Sequence, residues 1–333
     1  MTRVARGALS PTATRSAAGK AATEVSVGQP RRRKQKGSRG GFRPWWMPRN
    51  SRAYLLVLPC AAVIGVLVVY PLVLSLLDSV RADSAIVPTH QFVGARNYIT
   101  VFTDPDFQRA SLNTLVYLAI ATFGSLFIGW GIAAWLYSIR RVRATFLAII
   151  VLPWAVPGTV NGVLWSFILN PTNGLLNGIL RDLHVISHNV VWMAGTQSGL
   201  IAIGASLVWQ ITPITAVILL AGLESIPPEL YQQAAVDGTS GRGAFFRITA
   251  PLLRPALAIA LLQAGILGIS IFDQVYVLSS FSPTTNSVLV QVYRYAFEDF
   301  NFGVGMAASM IVTAGTLLVS LFYLKVIYRE IQM

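Results

Sequence analysis

The chain has 333 residues, 54% of them hydrophobic and 12% charged, with a mean hydropathy of +0.60. Soluble domains carry about 25% charged residues, so most of this chain faces something other than water, and its apolar content excludes wholesale disorder. The net charge of +13 belongs to one end: residues 1–52 hold 13 of the 26 Lys and Arg and one acid, Glu24, whereas the other 281 residues hold 13 bases and 12 acids.

That asymmetry removes the folded basic face that nucleic-acid binding would need. Residues 1–52 read as a disordered cytoplasmic tail that fixes topology, its densest run being Arg31-Arg32-Arg33-Lys34-Gln35-Lys36. Affinity for membrane lipid is the functional reading, since each base near an anionic leaflet is worth about 1 kcal/mol. Trp45 and Trp46 suit an interfacial anchor. The single cysteine, Cys60, lies in an apolar run, so no intrachain disulfide forms.

Residues 53–333 read as a membrane domain. A bilayer core takes about 20 helical residues, and six apolar runs qualify: about 54–77, 112–137, 144–169, 199–223, 255–278 and 303–328. Pro153, Pro157 and Pro213 fall inside them and are expected to be tolerated, because neighbouring helices satisfy the freed backbone groups. With the N-terminus inside, 21 Lys and Arg fall inside and 5 outside. The positive-inside rule therefore puts both termini in the cytoplasm. His90, His184 and His188 fall in outside loops. His184 and His188 have helical spacing for a ligand pair, but no third ligand stands out, so no metal site is expected.

The loop of about 224–254 is the informative one. Pro227 and Pro228 stop the fourth run, and Pro228 suits the first turn of a new helix, followed by Glu229. Tyr231, Ala234 and Ala235 share a face of that helix. Asp237-Gly238 is a turn, and Thr239 or Ser240 caps a second short helix holding Phe245, Phe246 and Ile248. A helix–turn–helix with small residues beside aromatics suits docking into a partner's groove.

This loop resembles the EAA loop of permease subunits of bacterial ABC importers, in the sugar-transporter branch. That pattern is Glu-Ala-Ala, three residues, Gly, nine residues, Ile, one residue, Leu-Pro. It falls here on Gln232, Gln233, Ala234, Gly238, Ile248, Ala250 and Pro251. Phe92-Val93-Gly94 with Asn97-Tyr98, Asn113-Thr114, Leu152-Pro153-Trp154 with Pro157, Asn170-Pro171 with Gly174 and Asn177, and Phe272-Asp273 with Val275-Tyr276 agree in order over residues 52–329. Two departures stand out. Gln232 replaces the motif's acid, and Ser279-Ser280-Phe281-Ser282-Pro283 replaces the Thr-x-Gly-Gly-Pro expected after the fifth run.

The resemblance implies an all-α membrane fold of six transmembrane helices, the type I ABC importer permease fold, with a cytoplasmic coupling helix. It implies an inner-membrane permease, without covalent catalysis of its own, that forms a pathway with a second related permease. Two ABC ATPase subunits would bind below, holding ATP and Mg, and an extracytoplasmic solute-binding protein would dock above. This chain has no phosphate loop of its own. Glu229, Tyr231, Gln232, Gln233, Ala234, Asp237, Gly238, Ile248 and Pro251 would couple to the ATPase. Polar groups at membrane depth mark the candidate pathway: Asn161, Trp165, Trp209, Gln210, Thr212, Gln263, Ser270, Asp273 and Gln274. Aromatic stacking beside amides suits a sugar, oligo- or disaccharide. Glycerol 3-phosphate, a polyamine or an amino acid is the alternative solute, and a membrane-anchoring subunit of an enzyme the alternative class.

Overall fold

The computed structural model describes residues 51–84, 88–139, 141–279 and 283–331. The basic tail with Trp45 and Trp46, and Ser280, Phe281 and Ser282 of the departing loop, lie outside the described residues. The chain divides into Met1–Leu58 and Pro59–Met333, and the second unit carries the fold.

The first span, Val57–Ser79, joins α1 (Ser51–Ile64) through a π-turn at Gly65–Val69 to α2 (Tyr70–Ser79). Its apolar window is 0% buried, whereas the corresponding window of α10 (Thr196–Glu224) is 67% buried. The first span is therefore peripheral and α10 central. A two-stranded hairpin comes next, β1 (Arg81–Asp83) antiparallel to β2 (Pro88–Phe92). It is an addition to the all-helical expectation. Asn97 ties it down, donating to the carbonyls of Ser79 (2.9 Å) and Arg81 (2.8 Å). Asn97 belongs to α3 (Arg96–Thr103).

The second span runs Pro105–Ser138, earlier at its start than expected, as α4 (Pro105–Ala119), a π-turn at Ile120–Gly124 and α5 (Ser125–Ser138). Asp104 caps α4, accepting from the Asp106 amide at 2.8 Å, and its other oxygen accepts from the Tyr295 hydroxyl. Tyr295 is 7% exposed. Burial and then the Asp104 hydrogen bond hold its phenol above its ordinary value of 10.0. A raised folded pKa contributes stability below the unfolded value that is lost as pH rises beyond it. Tyr295→Phe is expected to lower stability by about 1 kcal/mol at neutral pH. Thermal melts repeated above about pH 10 should show that gap narrowing, because only the wild type has a phenol to ionise.

The third run is where the expectation of a tolerated proline fails. Residues 143–155, built from α6 (Arg143–Ile150) and α7 (Leu152–Ala155), meet α8 (Gly158–Ile168) at a bend of 95°. A following proline disfavours the helical region, and Val156, before Pro157, is extended at φ −75°, ψ 127°. Pro213, by contrast, stays inside an unbroken α10. The short α9 (Leu175–Asp182) precedes α10 and ends before His184, so His184 and His188 do not share a helix. Asn177 instead clips the loop back, accepting from the Val190 amide (3.2 Å) and the Trp192 indole (3.1 Å).

After α11 (Pro228–Val236) and α12 (Gly241–Ala244), the fifth span is continuous through a π-turn at Phe245–Thr249 and α13 (Ala250–Ile269), then breaks at residues 270–272 and resumes as α14 (Asp273–Leu278). Pro251 and Pro255 thus lie within the helical rod rather than before it. In the irregular chain after α14, Ser279, Thr285, Asn286 and Ser287 are buried, and α4 pairs with its backbone: Asn113 donates to the carbonyls of Thr284 and Asn286, and Tyr117 to that of Thr285 at 2.7 Å. Buried backbone must find such partners. The sixth span, inside α16 (Phe302–Ile331), comes after α15 (Val288–Tyr293). Five helices among the described residues are therefore long and apolar enough to cross, and the count is six when the bent third run is taken as one span.

Three apolar clusters hold the unit together. One joins Tyr117, Ile203, Ile271, Val275 and Val290. A second joins Leu136, Leu219, Leu253 and Ala260, and a third Val101, Phe107, Tyr295 and Ala307. α10 supplies residues to two of the three.

Candidate functional site: a projecting helix and a broken-helix cavity

The 224–254 loop forms the helix–turn–helix that its residues imply. Pro228 opens α11, Glu229 sits in the first turn and Asp237 is the C-cap. Gly238 has φ +69°, its amide donates to the Ala235 carbonyl (3.1 Å), and the Thr239 amide donates to that of Ala234 (2.8 Å). This pairing is the Schellman ending, which needs a left-handed residue after the cap. Ser240 caps α12 by accepting from the Gly243 amide. Tyr231 points back into the molecule, its hydroxyl 2.9 Å from the Thr249 hydroxyl at the root of α13. Gln232, Gln233 and Asp237 are exposed, Ala234 and Ile248 are half-buried, Pro251 lies in the first turn of α13, and Val236 is 89% exposed.

The pathway candidates divide. Asn161, Gln210 and Gln274 meet where the third and fifth spans break. Asn161 is fully buried and donates to the Ser206 carbonyl (3.2 Å) and to Gln210 Oε1 (3.1 Å). Gln274 also donates to Gln210 Oε1, and Gln210 Nε2 donates to the Val156 carbonyl at 2.7 Å. The carbonyl left free at the Pro157 break is thus satisfied from α10. The second break is closed in the same way, with the Ser287 hydroxyl donating to the Ile271 carbonyl at 2.7 Å. Irregular backbone at membrane depth is stable only when so satisfied or when it lines a cavity. Here it does both. A cavity of about 200 Å³ is lined by Trp154, Gly158, Gln210, Ser270, Asp273 and Gln274, with apolar neighbours.

Asp273 joins the two breaks. Its Oδ1 accepts from the Thr159 hydroxyl at 3.1 Å. A Cβ on Gly158 would lie 2.8 Å from Asp273 Cγ and 2.9 Å from its Cβ. Gly158→Ala is therefore expected to cost about 1–3 kcal/mol by overpacking. Thermal melting of the purified protein checks this, and Asp273→Gly on top of it should recover most of the loss. Gly158 and Thr159 are site residues that sequence reasoning passed over. The Pro157-Gly158 dipeptide was the available signal.

Trp165 and Trp209 lie on the other side of this wall, edge to face with ring centroids 6.4 Å apart. With Thr212 they line an apolar groove of about 590 Å³. The Thr212 hydroxyl is spent inside its own helix, on the Val208 carbonyl at 2.6 Å. Gln263 lines neither cavity, and its Oε1 is buried without a protein partner among the described residues. The aromatics and the amides are therefore brought to adjoining but separate surfaces.

Comparison with known proteins agrees with this architecture. Residues 125–330 match the family described as binding-protein-dependent transport system inner membrane component. The trehalose/maltose transport system permease protein MalF of Thermococcus litoralis is 33% identical over 275 residues, which is 82% of this chain and 92% of the relative. The trehalose transport system permease protein SugA of Mycobacterium tuberculosis is 27% identical, over 86% of this chain and 91% of its own. The crystal structure of a bacterial ABC transporter involved in import of the acidic polysaccharide alginate contains a chain of the same fold. Its TM-score is 0.71 at 20% identity, with 84% of this chain and 96% of that chain covered. Broken membrane spans that meet at a polar cavity, a rigid projecting helix and a family match over most of the membrane domain lead to one conclusion: the chain belongs to the binding-protein-dependent transport system inner membrane component family, and it is a multi-pass transport permease of the inner membrane.

Proposed function

We propose that this permease carries a neutral sugar, a disaccharide or short oligosaccharide, through an ATP-driven importer. It pairs with a second related permease, takes solute from an extracytoplasmic binding protein and holds both termini in the cytoplasm. Two partner ATPase subunits bind and hydrolyse ATP with Mg, and this chain performs no covalent step. α11 is the coupling helix, with Gln232, Gln233 and Val236 toward the ATPase. Gln232 hydrogen-bonds there in place of the family's carboxylate, so the contact lacks an ion pair and its salt dependence.

The observation that carries the solute reading is the cavity between the two breaks. Its polar groups are the Gln210 and Gln274 amides, the Ser270 hydroxyl, the Trp154 indole and the Asp273 carboxylate, and its lining among the described residues contains no base. With Gln210 spent on closing the breaks, the hydroxyl, the indole and the carboxylate are the groups that match a polyol. An anion about 5 Å from the carboxylate is opposed by about 3 kcal/mol at an effective dielectric near 20. Both trehalose-transporting relatives are consistent with a neutral sugar. The test is uptake into proteoliposomes holding the whole complex and its binding protein. ATP-dependent entry of a neutral disaccharide, not competed by uronates or amino acids, is expected, and Asp273→Asn should weaken the exclusion of uronates. Uptake of amino acids alone would sink the sugar reading and leave the permease standing.

A further inference from the structure

Two charged residues that belong to neither the docking face of α11 nor the cavity form an ion pair: Arg143, the first residue of α6, and Glu224, the last residue of α10. Their positions give the contact a consequence. Glu224 stands at the root of α11, separated from Pro228 by Ser225, the buried Ile226 and Pro227. α11 is in turn pinned to the start of the fifth span through Tyr231 and Thr249. On the other side, Arg143 heads the short rod 143–155 whose far end is the 95° break. That break is closed by Gln210 on the Val156 carbonyl, and the first turn beyond it rests on Asp273. α7 packs on α10, so the rod lies alongside the helix that leads into α11.

We propose that the Arg143–Glu224 pair is the link through which displacement of α11 reaches the broken third span, and that both residues are positioning residues of the transport cycle. The proposal rests on α11 being the coupling helix. The side chains are 29% and 43% exposed, so the pair adds only modestly to overall stability. Its value is geometric. When α11 moves, Glu224 moves with it, Arg143 is drawn along, and the rod pivots at Val156–Pro157, loosening the contacts that close the cavity. A two-state element biased from a distant site is what coupling physically requires. Arg141 lies two residues away and is exposed, so it is kept in every variant.

The experiment measures solute transported per ATP hydrolysed in proteoliposomes containing the complete complex. Glu224→Gln and Arg143→Gln keep size and remove charge. Each is expected to lower that ratio about fivefold or more, the lower edge of coupling between sites, with subunits still co-purifying and ATP still hydrolysed. Arg143→Lys should retain most of the ratio, and the exchanged pair Arg143→Glu with Glu224→Arg should restore it to within about twofold. A wild-type ratio in Glu224→Gln overturns the proposal, as does an exchanged pair that assembles without recovery. A Gly238→Val variant measured alongside separates the levels. If it disrupts transport while the Arg143 and Glu224 variants do not, only the link fails. If Gly238→Val transports normally, the coupling role of α11 fails with it.

Discussion

Gly238→Val is expected to reduce ATP-driven uptake about tenfold or more while leaving the membrane spans folded. The backbone at Gly238 has φ +69°, a region that costs an L-residue about 1–2 kcal/mol and is a true outlier for a β-branched one. A Cβ there would meet nothing within 4 Å, so the penalty is wholly conformational. Relief comes only by unwinding the Schellman ending, which frees the carbonyls of Ala234 and Ala235 and swings α12 relative to α11. The docking surface would then present the wrong shape to the ATPase. Gly238→Asn is the control, since Asn tolerates the left-handed region, and it should keep most of the activity. Co-purification of the ATPase, with uptake measured on the same preparations, makes the test. Wild-type uptake by the Val variant would remove α11 from the coupling role.

Gln210→Leu is expected to abolish transport and to destabilise the protein by about 2 kcal/mol or more. One side chain makes three of the contacts that hold the breaks together: its Oε1 accepts from Asn161 and Gln274, and its Nε2 donates to the Val156 carbonyl. Leu fills similar space but leaves two donors and a carbonyl without partners. Each buried orphan costs about 1–3 kcal/mol in soluble proteins, and single membrane hydrogen bonds average about 0.6 kcal/mol. The larger figure applies to the carbonyl of Val156, because the Pro157 break leaves it no helical partner. Thermal melting and uptake are the measurements, with Asn161→Leu as the comparison. That variant removes the two hydrogen bonds Asn161 donates but leaves the Val156 carbonyl paired and the break closed, so it should cost less on both. Equal losses from the two substitutions would show that Gln210 has no special place at the break.

The apolar runs were legible because the bilayer demands about 20 apolar residues per crossing. The coupling helix was legible because its signals are local: Pro228 at the start, Asp237-Gly238 at the end, and Ser240 as the cap of α12. The π-turns at Gly65–Val69, Ile120–Gly124 and Phe245–Thr249 left no such mark. Nor did the pairing of β1 with β2, which is held by Asn97 from a later helix.

The proline positions divide what the sequence determined from what the tertiary structure decided. Pro157 and Pro213 both fall in apolar runs, yet one breaks its helix by 95° and the other sits in an unbroken one. A proline removes one hydrogen bond wherever it stands. Whether the helix then breaks depends on which groups can pair with the freed backbone, and for the Val156 carbonyl that partner is Gln210, more than fifty residues away. By itself the sequence determined that the chain crosses a membrane, where its charges gather and which loop projects. Packing decided where the third and fifth spans break, that Asn161, Gln210, Asp273 and Gln274 converge there, and that Trp165 and Trp209 face elsewhere. The reason is range: periodicity, capping and turn chemistry act within a few residues, whereas a polar group buried at membrane depth is paired by whichever distant helix the fold brings beside it.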